Sequence, residues 1–288
     1  MFQKILFPVD FSKRCDGAAE YVRSFAKANG AEVYMLHVLD LPDYLFGVPE
    51  YPVIAPVEIR DAQRELGHTR IENYLREEFQ GVTVHRMLME GDPAREVVKF
   101  ADEQKIDLIM LPTHGLGAFR RFIIGSTSAK ILHDAHCPVW TAVHAEEAAP
   151  LDGVDVRSIV CGLDLGPLSD VVLSFADRFA KEAGAELTIV HAVHAVEVRP
   201  ASYFDVDFAA HIASEARTSL DELQKRLGTT YKVCIHAGDP AEAMRDAAHT
   251  HSADLAIVGR GHVTEGLGRM RTHSYAVINK SPCPVLSV

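Results

Sequence analysis

"KILFPVDFSKRCDGAAEYVRSFAKANGAEVYMLHVL", residues 4–39, contains two short apolar runs, "KILFPV" and "VYMLHVL". Between them Ala18, Ala19, Val22, Phe25 and Ala26 recur at helical spacing, and Gly30 supplies a C-terminal stop. The stretch predicts a strand–helix–strand unit. A second stretch, "SIVCGLDLGPLSDVVLSFADRFAKEAGAELTIVHAV", residues 158–193, aligns with it without a gap, so that Asp10 pairs with Asp164, Gly30 with Gly184 and His37 with His191, each 154 positions apart. Further on, "GDPAREVVKFADEQKIDLIML" (91–111) matches "GDPAEAMRDAAHTHSADLAIV" (238–258) at an offset of 147, and "CPVW" (137–140) matches "CPVL" (283–286) at 146. A period near 150 means two domains of one fold, because solenoid units run only about 20–50 residues. The drift in offset places the length differences in the middle connections. We expect domains at 1–146 and 154–288, meeting in the Ala- and Glu-rich "HAEEAAPLDGVDV", residues 144–156.

The rest of the first copy keeps the alternation. After the Pro-rich "LPDYLFGVPEYPVIAP" a second helix is expected from about Ile59 to Phe79, then a strand "VTVHRML". A third helix, "PAREVVKFADEQK", opens with Pro93 as a first-turn residue. "IDLIMLP" is the fourth strand, "STSAKILHDA" the fourth helix and "PVWTAV" the fifth strand. Strands this apolar, without polar alternation, fit a parallel sheet buried on both faces by helices. The fold class is therefore α/β, a five-stranded sheet flanked by helices, twice over.

Composition narrows the function. The 288 residues are 48% hydrophobic and 24% charged, an ordinary globular balance. No apolar run approaches the roughly 18–20 residues that span a bilayer, and "MFQKILFPVDF" meets a charged residue too early for a signal-peptide core. A cytoplasmic location without membrane contact is expected. Five scattered cysteines without C-x-x-C spacing predict reduced thiols. The net charge of −11 argues against nucleic acid as a partner, because phosphate backbones repel an acidic surface. A nucleotide in a lined pocket is still compatible with it.

In open parallel sheets, ligands bind beyond the carboxyl ends of the strands where the connection order reverses. "PVDFS", "LHVLD" and "LPTHGLG" lie at those ends. Nine residues separate Gly115 from Gly125, and Gly125-Ser126 precedes the fourth helix. A glycine there admits close backbone approach, and the first-turn N–H groups and helix dipole favour an anion. The plainer reading makes Gly115 a turn glycine and Ser126 an N-cap. Arg120 and Arg121 either meet phosphate oxygens or sit on a solvated turn, while Phe119, Phe122, Ile123 and Ile124 pack the segment on the sheet. His37 and His191 are expected beside the crevices rather than in catalysis. His249, His251, His262 and His273 with Asp164 are not read as a metal site, since the first two precede strand four at the opposite end of the sheet. No Cys/His pair or Ser/His/Asp order signals a covalent enzyme.

Taken together, the paired domains, "PVDFS", "LHV", "THG" followed by "GSTSAK", and "CPVW" resemble a tandem universal stress protein, over essentially the whole chain. The resemblance implies Rossmann-like (adenine nucleotide alpha hydrolase-like) domains with strand order 3-2-1-4-5 and, in the ATP-binding branch, G-x2-G-x9-G-[ST] between strand four and helix four. It further implies ATP, with or without Mg2+, at Pro8, Val9, Asp10, Val38, Leu111, Pro112, His114, Gly115, Gly125, Ser126, Thr127 and Ser128. Asp10 would approach the nucleoside, backbone at Val38 the adenine edge, and Gly115, Gly125 and Ser126 the phosphates. Pro112 replaces the motif's first glycine and lacks an N–H. The second copy keeps Gly259 but has His262 for the second glycine and Thr272-His273 for Gly-Ser, so its site is expected to be degenerate.

The implied function is a nucleotide-binding stress regulator with at most weak ATPase activity and an unidentified protein partner. A non-nucleotide interaction module with vestigial crevices and a slow hydrolase are the alternatives. Homodimeric relatives pair their fifth strands across a two-fold axis. The resemblance therefore implies that "PVWTAV" and "PVLSV", each at its domain's sheet edge, pair within this chain, with Val285 and Ser287 facing outward, and a homodimer of the chain is a further option.

Overall fold

The computed structural model describes residues 1–40, 57–112, 124–142, 156–193, 204–260 and 269–288. The first half contains β1 (Lys4–Pro8), α1 (Lys13–Asn29), β2 (Glu32–Leu39), α2 (Val57–Asn73), β3 (Val84–Glu90), α3 (Pro93–Gln104), β4 (Leu108–Pro112), α4 (Ser126–Asp134) and β5 (Val139–Ala142). The second contains β6 (Ser158–Gly162), α5 (Ser169–Ala183), β7 (Glu186–Val193), α6 (Phe204–Leu227), β8 (Lys232–Ala237), α7 (Pro240–Thr250), β9 (Leu255–Val258), α8 (Arg269–Lys280) and β10 (Val285–Ser287). None of the described helices is long and apolar enough to cross a membrane.

The repeated unit forms for the reasons the sequence offers. Gly30 and Gly184 close α1 and α5 at φ 62° and 66°, a left-handed conformation that glycine enters without strain. Asp92 and Asp239 cap α3 and α7 through the N–H groups of Arg95 (2.9 Å) and Glu242 (3.0 Å), ahead of Pro93 and Pro240. One expected helix is shorter than its pattern. α2 stops at Asn73, not Phe79, because Leu75 turns left-handed (φ 49°) and the Tyr74 carbonyl is taken by the Arg86 guanidinium at 3.0 Å. The turns that follow push β3 two residues beyond its expected start.

The halves form one ten-stranded sheet, ordered β3-β2-β1-β4-β5-β10-β9-β6-β7-β8. Each half is parallel within itself. The seam between them is antiparallel, with Thr141 opposite Val285, Trp140 opposite Leu286 and Val139 opposite Ser287. The Thr141 hydroxyl donates to the Val285 carbonyl across it (3.1 Å). Pairing of the fifth strands within one chain is thus observed, but the expectation of outward positions is corrected: Val285, Leu286 and Ser287 are each 0% exposed, since helices of both halves cover both faces.

Two cores follow, and each runs through both halves. On one face α1, α2, α5 and α6 contribute Val22, Ile71, Leu173 and Leu220, and Phe2, Phe25, Trp140, Phe175 and Phe179 join the halves at its centre. Phe25 lies 5.2 Å from Trp140 and 6.4 Å from Phe179 between ring centroids. On the other face α3, α4, α7 and α8 supply Val97, Ile131, Met244 and Ile278. There the Tyr275 hydroxyl of α8 donates to the Ala129 carbonyl of α4 at 2.7 Å.

Candidate functional site

β1 is flanked by β2 and β4, and the chain leaves it in one direction through β2 and β3 and in the other through β4 and β5. The reversal falls between β1 and β4, and beyond the carboxyl ends of these strands is where sheets of this kind bind their ligands. Pro8 ends β1 and is followed by buried Val9 and exposed Asp10; buried Leu111 and then Pro112 end β4. Val38 lies near the end of β2. The Val9 N–H donates to the Leu36 carbonyl (2.8 Å), and the Gly91 N–H to the Leu39 carbonyl (3.0 Å) on the opposite side. Backbone groups alternate along a strand, so the N–H and C=O of Val38 face the β1 side, past the last β1 pairing of Pro8 with Leu36.

Asp10 is held in one orientation. Its Oδ1 accepts the Ser12 N–H at 2.9 Å and the Cys15 thiol at 3.1 Å. Partial desolvation by the surrounding turn raises the pKa of Asp10, but the hydrogen bonds from Ser12 and Cys15 and the charge of Arg14 outweigh it, and the carboxyl sits below its ordinary value. Burial pushes Cys15 up to about 12, so its thiol stays protonated and donates. The turn needs Phe11 at φ 60°, a conformation costly for an aromatic residue. The second half repeats the geometry: Leu165 at φ 60°, and Asp164 Oδ1 accepting the Gly166 N–H (2.8 Å) and the Ser169 hydroxyl (3.2 Å).

His37 and His191 also repeat. Each donates from Nδ1 to a carbonyl just past the end of the first strand of its half, Val9 or Leu163, at 2.7 Å. They are anchors beside the crevices, as expected. Among the described residues, only the first half has an aromatic and cationic cluster covering the anchor. Phe11 packs 4.3 Å from the His37 ring, Tyr74 meets Phe11 edge-on at 5.0 Å, and the Arg70 guanidinium lies 4.3 Å above the Phe11 ring. Burial and the Arg70 charge hold His37 below its ordinary value, against the Val9 bond and Asp10.

The start of α4 differs from that of α3 and α7. α4 carries the chain back from the end of β4 to the start of β5, which places its N-terminus at the crevice edge of the sheet. Gly125 precedes it with φ −58° and ψ 149° and no side-chain cap. The first helical bond is the Ala129 N–H to the Gly125 carbonyl (2.8 Å), so the N–H groups of Ser126, Thr127 and Ser128 have no helical acceptor. Gly125, Ser126 and Thr127 are exposed, and a Cβ at Gly125 would meet nothing within 4 Å. His114, Gly115, Arg120 and Arg121 lie outside the described residues.

In the second half α8 starts at Arg269, so Thr272 and His273, the counterparts of Gly125 and Ser126, lie inside a helix. His251, just beyond α7, places Nε2 3.5 Å from Cys234 Sγ, at the far end of the sheet from Asp164. The clamp of Cys15 on Asp10 and the Phe11–Arg70 contact were not read from the sequence. The alignment of Cys15 with Ser169, both small donors five residues after an Asp, was the available signal for the first; the second joins residues 59 apart and left none.

Comparison with known proteins agrees with the fold and the repeat. The profile of the universal stress protein family matches residues 1–142 and again 155–288. A universal stress protein of Mycobacterium tuberculosis (strain ATCC 25618 / H37Rv) is 28% identical over 295 residues, covering 98% of this chain and 95% of that protein. One from Methanocaldococcus jannaschii is 33% identical over 142 residues, covering 48% of this chain and 81% of its own length. Among solved structures, a universal stress protein from Archaeoglobus fulgidus DSM 4304 superposes with a TM-score of 0.69 at 22% identity, over 99% of this chain and 97% of that one, a likeness of fold.

Proposed function

Because the chain belongs to the universal stress protein family, with the family's domain present twice, we propose that it is an ATP-binding regulator of a stress response whose first half holds the nucleotide. The observation that carries this reading is the uncapped, exposed N-terminus of α4 behind a glycine that neither backbone conformation nor packing requires. Such an end offers N–H donors and a favourable dipole to an anion. Phosphate oxygens would meet Ser126, Thr127 and Ser128, with Gly125 allowing close approach. The outward N–H and C=O of Val38 match the paired acceptor and donor of an adenine edge. Asp10, with Oδ1 already engaged, keeps Oδ2 for a ribose hydroxyl. Pro112 removes one loop donor, which leaves phosphate binding to the helix end. Mg2+, when bound, would offset phosphate charge.

Hydrolysis is expected to be slow. Among the described residues the hydroxyls of Ser126, Thr127 and Ser128 make no hydrogen bond to a carboxylate or imidazole, so none of them is activated to take a proton from water. In the second half the helix-end donors are engaged by the longer α8, and one nucleotide per chain is expected. Denaturing the purified protein and separating the released small molecules tests the reading, together with titration calorimetry against ATP and Mg2+. Adenine nucleotide at about one per chain supports it. No released nucleotide and no heat with ATP would overturn it in favour of an interaction module.

A further inference from the structure

Arg260 follows β9 in the second half, yet its guanidinium is spent on the first. Nη1 donates to the carbonyls of Ala135 (2.9 Å) and Leu132 (3.4 Å), and Nη2 to that of Cys137 (2.8 Å), at the C-terminal end of α4. The side chain is half-buried, and no carboxylate pairs with it among the described residues. Placing a cation there is costly compared with a neutral group. The fold does not require one, as the repeat itself demonstrates. At the matching end of α8 the Cys283 carbonyl, counterpart of Cys137, accepts a neutral hydroxyl from Ser281 at 2.8 Å. The same carbonyl is closed by a serine of its own half in one copy and by an arginine of the other half in the second.

We propose that Arg260 is a positioning residue for the anion site of the first half, contributed across the seam by the half that has lost its own. This rests on the nucleotide reading above. The guanidinium fixes the C-terminal end of α4 and offsets the negative pole of its dipole, so the open N-terminal end presents an undiminished positive pole and an aligned set of N–H groups to the phosphates. Arginine keeps its charge at any physiological pH. The site is thus incomplete without the second half, which explains why a degenerate copy carries the charge.

The test compares full-length wild type with Arg260→Met, Arg260→Lys and Tyr275→Phe, titrated calorimetrically with ATP and, separately, with adenosine. Arg260→Met should weaken ATP roughly tenfold, the order of a partly buried charge–dipole interaction, and leave adenosine unchanged. Arg260→Lys should restore most of the ATP affinity. Tyr275→Phe removes a neutral bond to the same helix, from the Tyr275 hydroxyl to the Ala129 carbonyl, and should change neither. Unchanged ATP affinity in Arg260→Met overturns the proposal. So does an equal loss of ATP and adenosine, or an equal loss in Tyr275→Phe, since either would mean simple loosening of the seam. Wild type that binds adenosine but not ATP, or neither, refutes the nucleotide reading itself and this inference with it. If Arg260→Met fails to fold, Arg260→Gln, which keeps donors to the same carbonyls without the charge, takes its place: it should weaken ATP and spare adenosine, and unchanged ATP affinity in it overturns the proposal.

Discussion

Phe179→Ala, a change in the second half, should destabilise the first half by the same amount. Phe179 is 5% exposed and stands within 6.4 Å of Phe2, Phe25 and Phe175, ring centre to ring centre. Truncating a buried phenylalanine costs about 3–5 kcal/mol, and three aromatic neighbours place this one near about 4 kcal/mol. With a urea dependence of about 3 kcal/mol per molar, the unfolding midpoint should fall by about 1.3 M. Trp140 is the sole tryptophan, fully buried in the first half, and reaches Phe179 through Phe25. Its fluorescence therefore reports on one half while the mutation sits in the other. Shared strands and shared cores require fluorescence and far-ultraviolet dichroism to lose their signals together, at the same lowered midpoint. A fluorescence midpoint that stays at the wild-type value, while dichroism splits into two steps, would show that the halves unfold independently and would refute the argument.

Other outcomes can be stated briefly. Gly125→Val should leave the unfolding free energy within about 0.5 kcal/mol of wild type, since the added side chain meets open space, yet abolish ATP binding; a folded variant with wild-type affinity sinks the phosphate assignment. Calorimetry should give one ATP per chain, and a stoichiometry near two would show that the longer α8 does not close the second site. His37 titrates below its ordinary 6.5 when folded, so its contribution is fully present above that value and is lost as pH falls towards the folded one. His37→Gln should remove that part of the acid-side slope in stability below pH 6.5, and an unchanged slope would count against the buried, neutral ring.

The sequence carried the order of elements because local periodicity and a gapless repeat both reported it. Gly30 and Gly184 marked helix ends that the structure has at those residues. Contacts between distant residues left fewer traces. The edge place expected for "PVLSV" went with an outward face for Val285 and Ser287, but a strand covered on both sides by helices has none. α2 ends early because of Arg86, a residue 13 positions beyond Asn73 that no helix-stop rule consults. At the candidate site, the places of Asp10 just after β1 and Val38 near the end of β2 were legible in the sequence, whereas Arg260 had no local mark. Its meaning depends on carbonyls more than 120 positions earlier, brought near only by the antiparallel seam.

That seam also sets a schedule for synthesis. β5 is complete at Ala142, but its partner β10 begins at Val285, the last of the ten strands to leave the ribosome. At about 5–20 residues per second, the 142 residues between Ala142 and Val285 take roughly 7–30 s, during which the nascent first half has its β5 edge unpaired. An open edge recruits whatever strand is nearest, and on a polysome that is the β5 of a neighbouring nascent chain. The tandem arrangement thus trades an encounter between two finished molecules for a wait within one, and chaperone demand should be greatest in that interval.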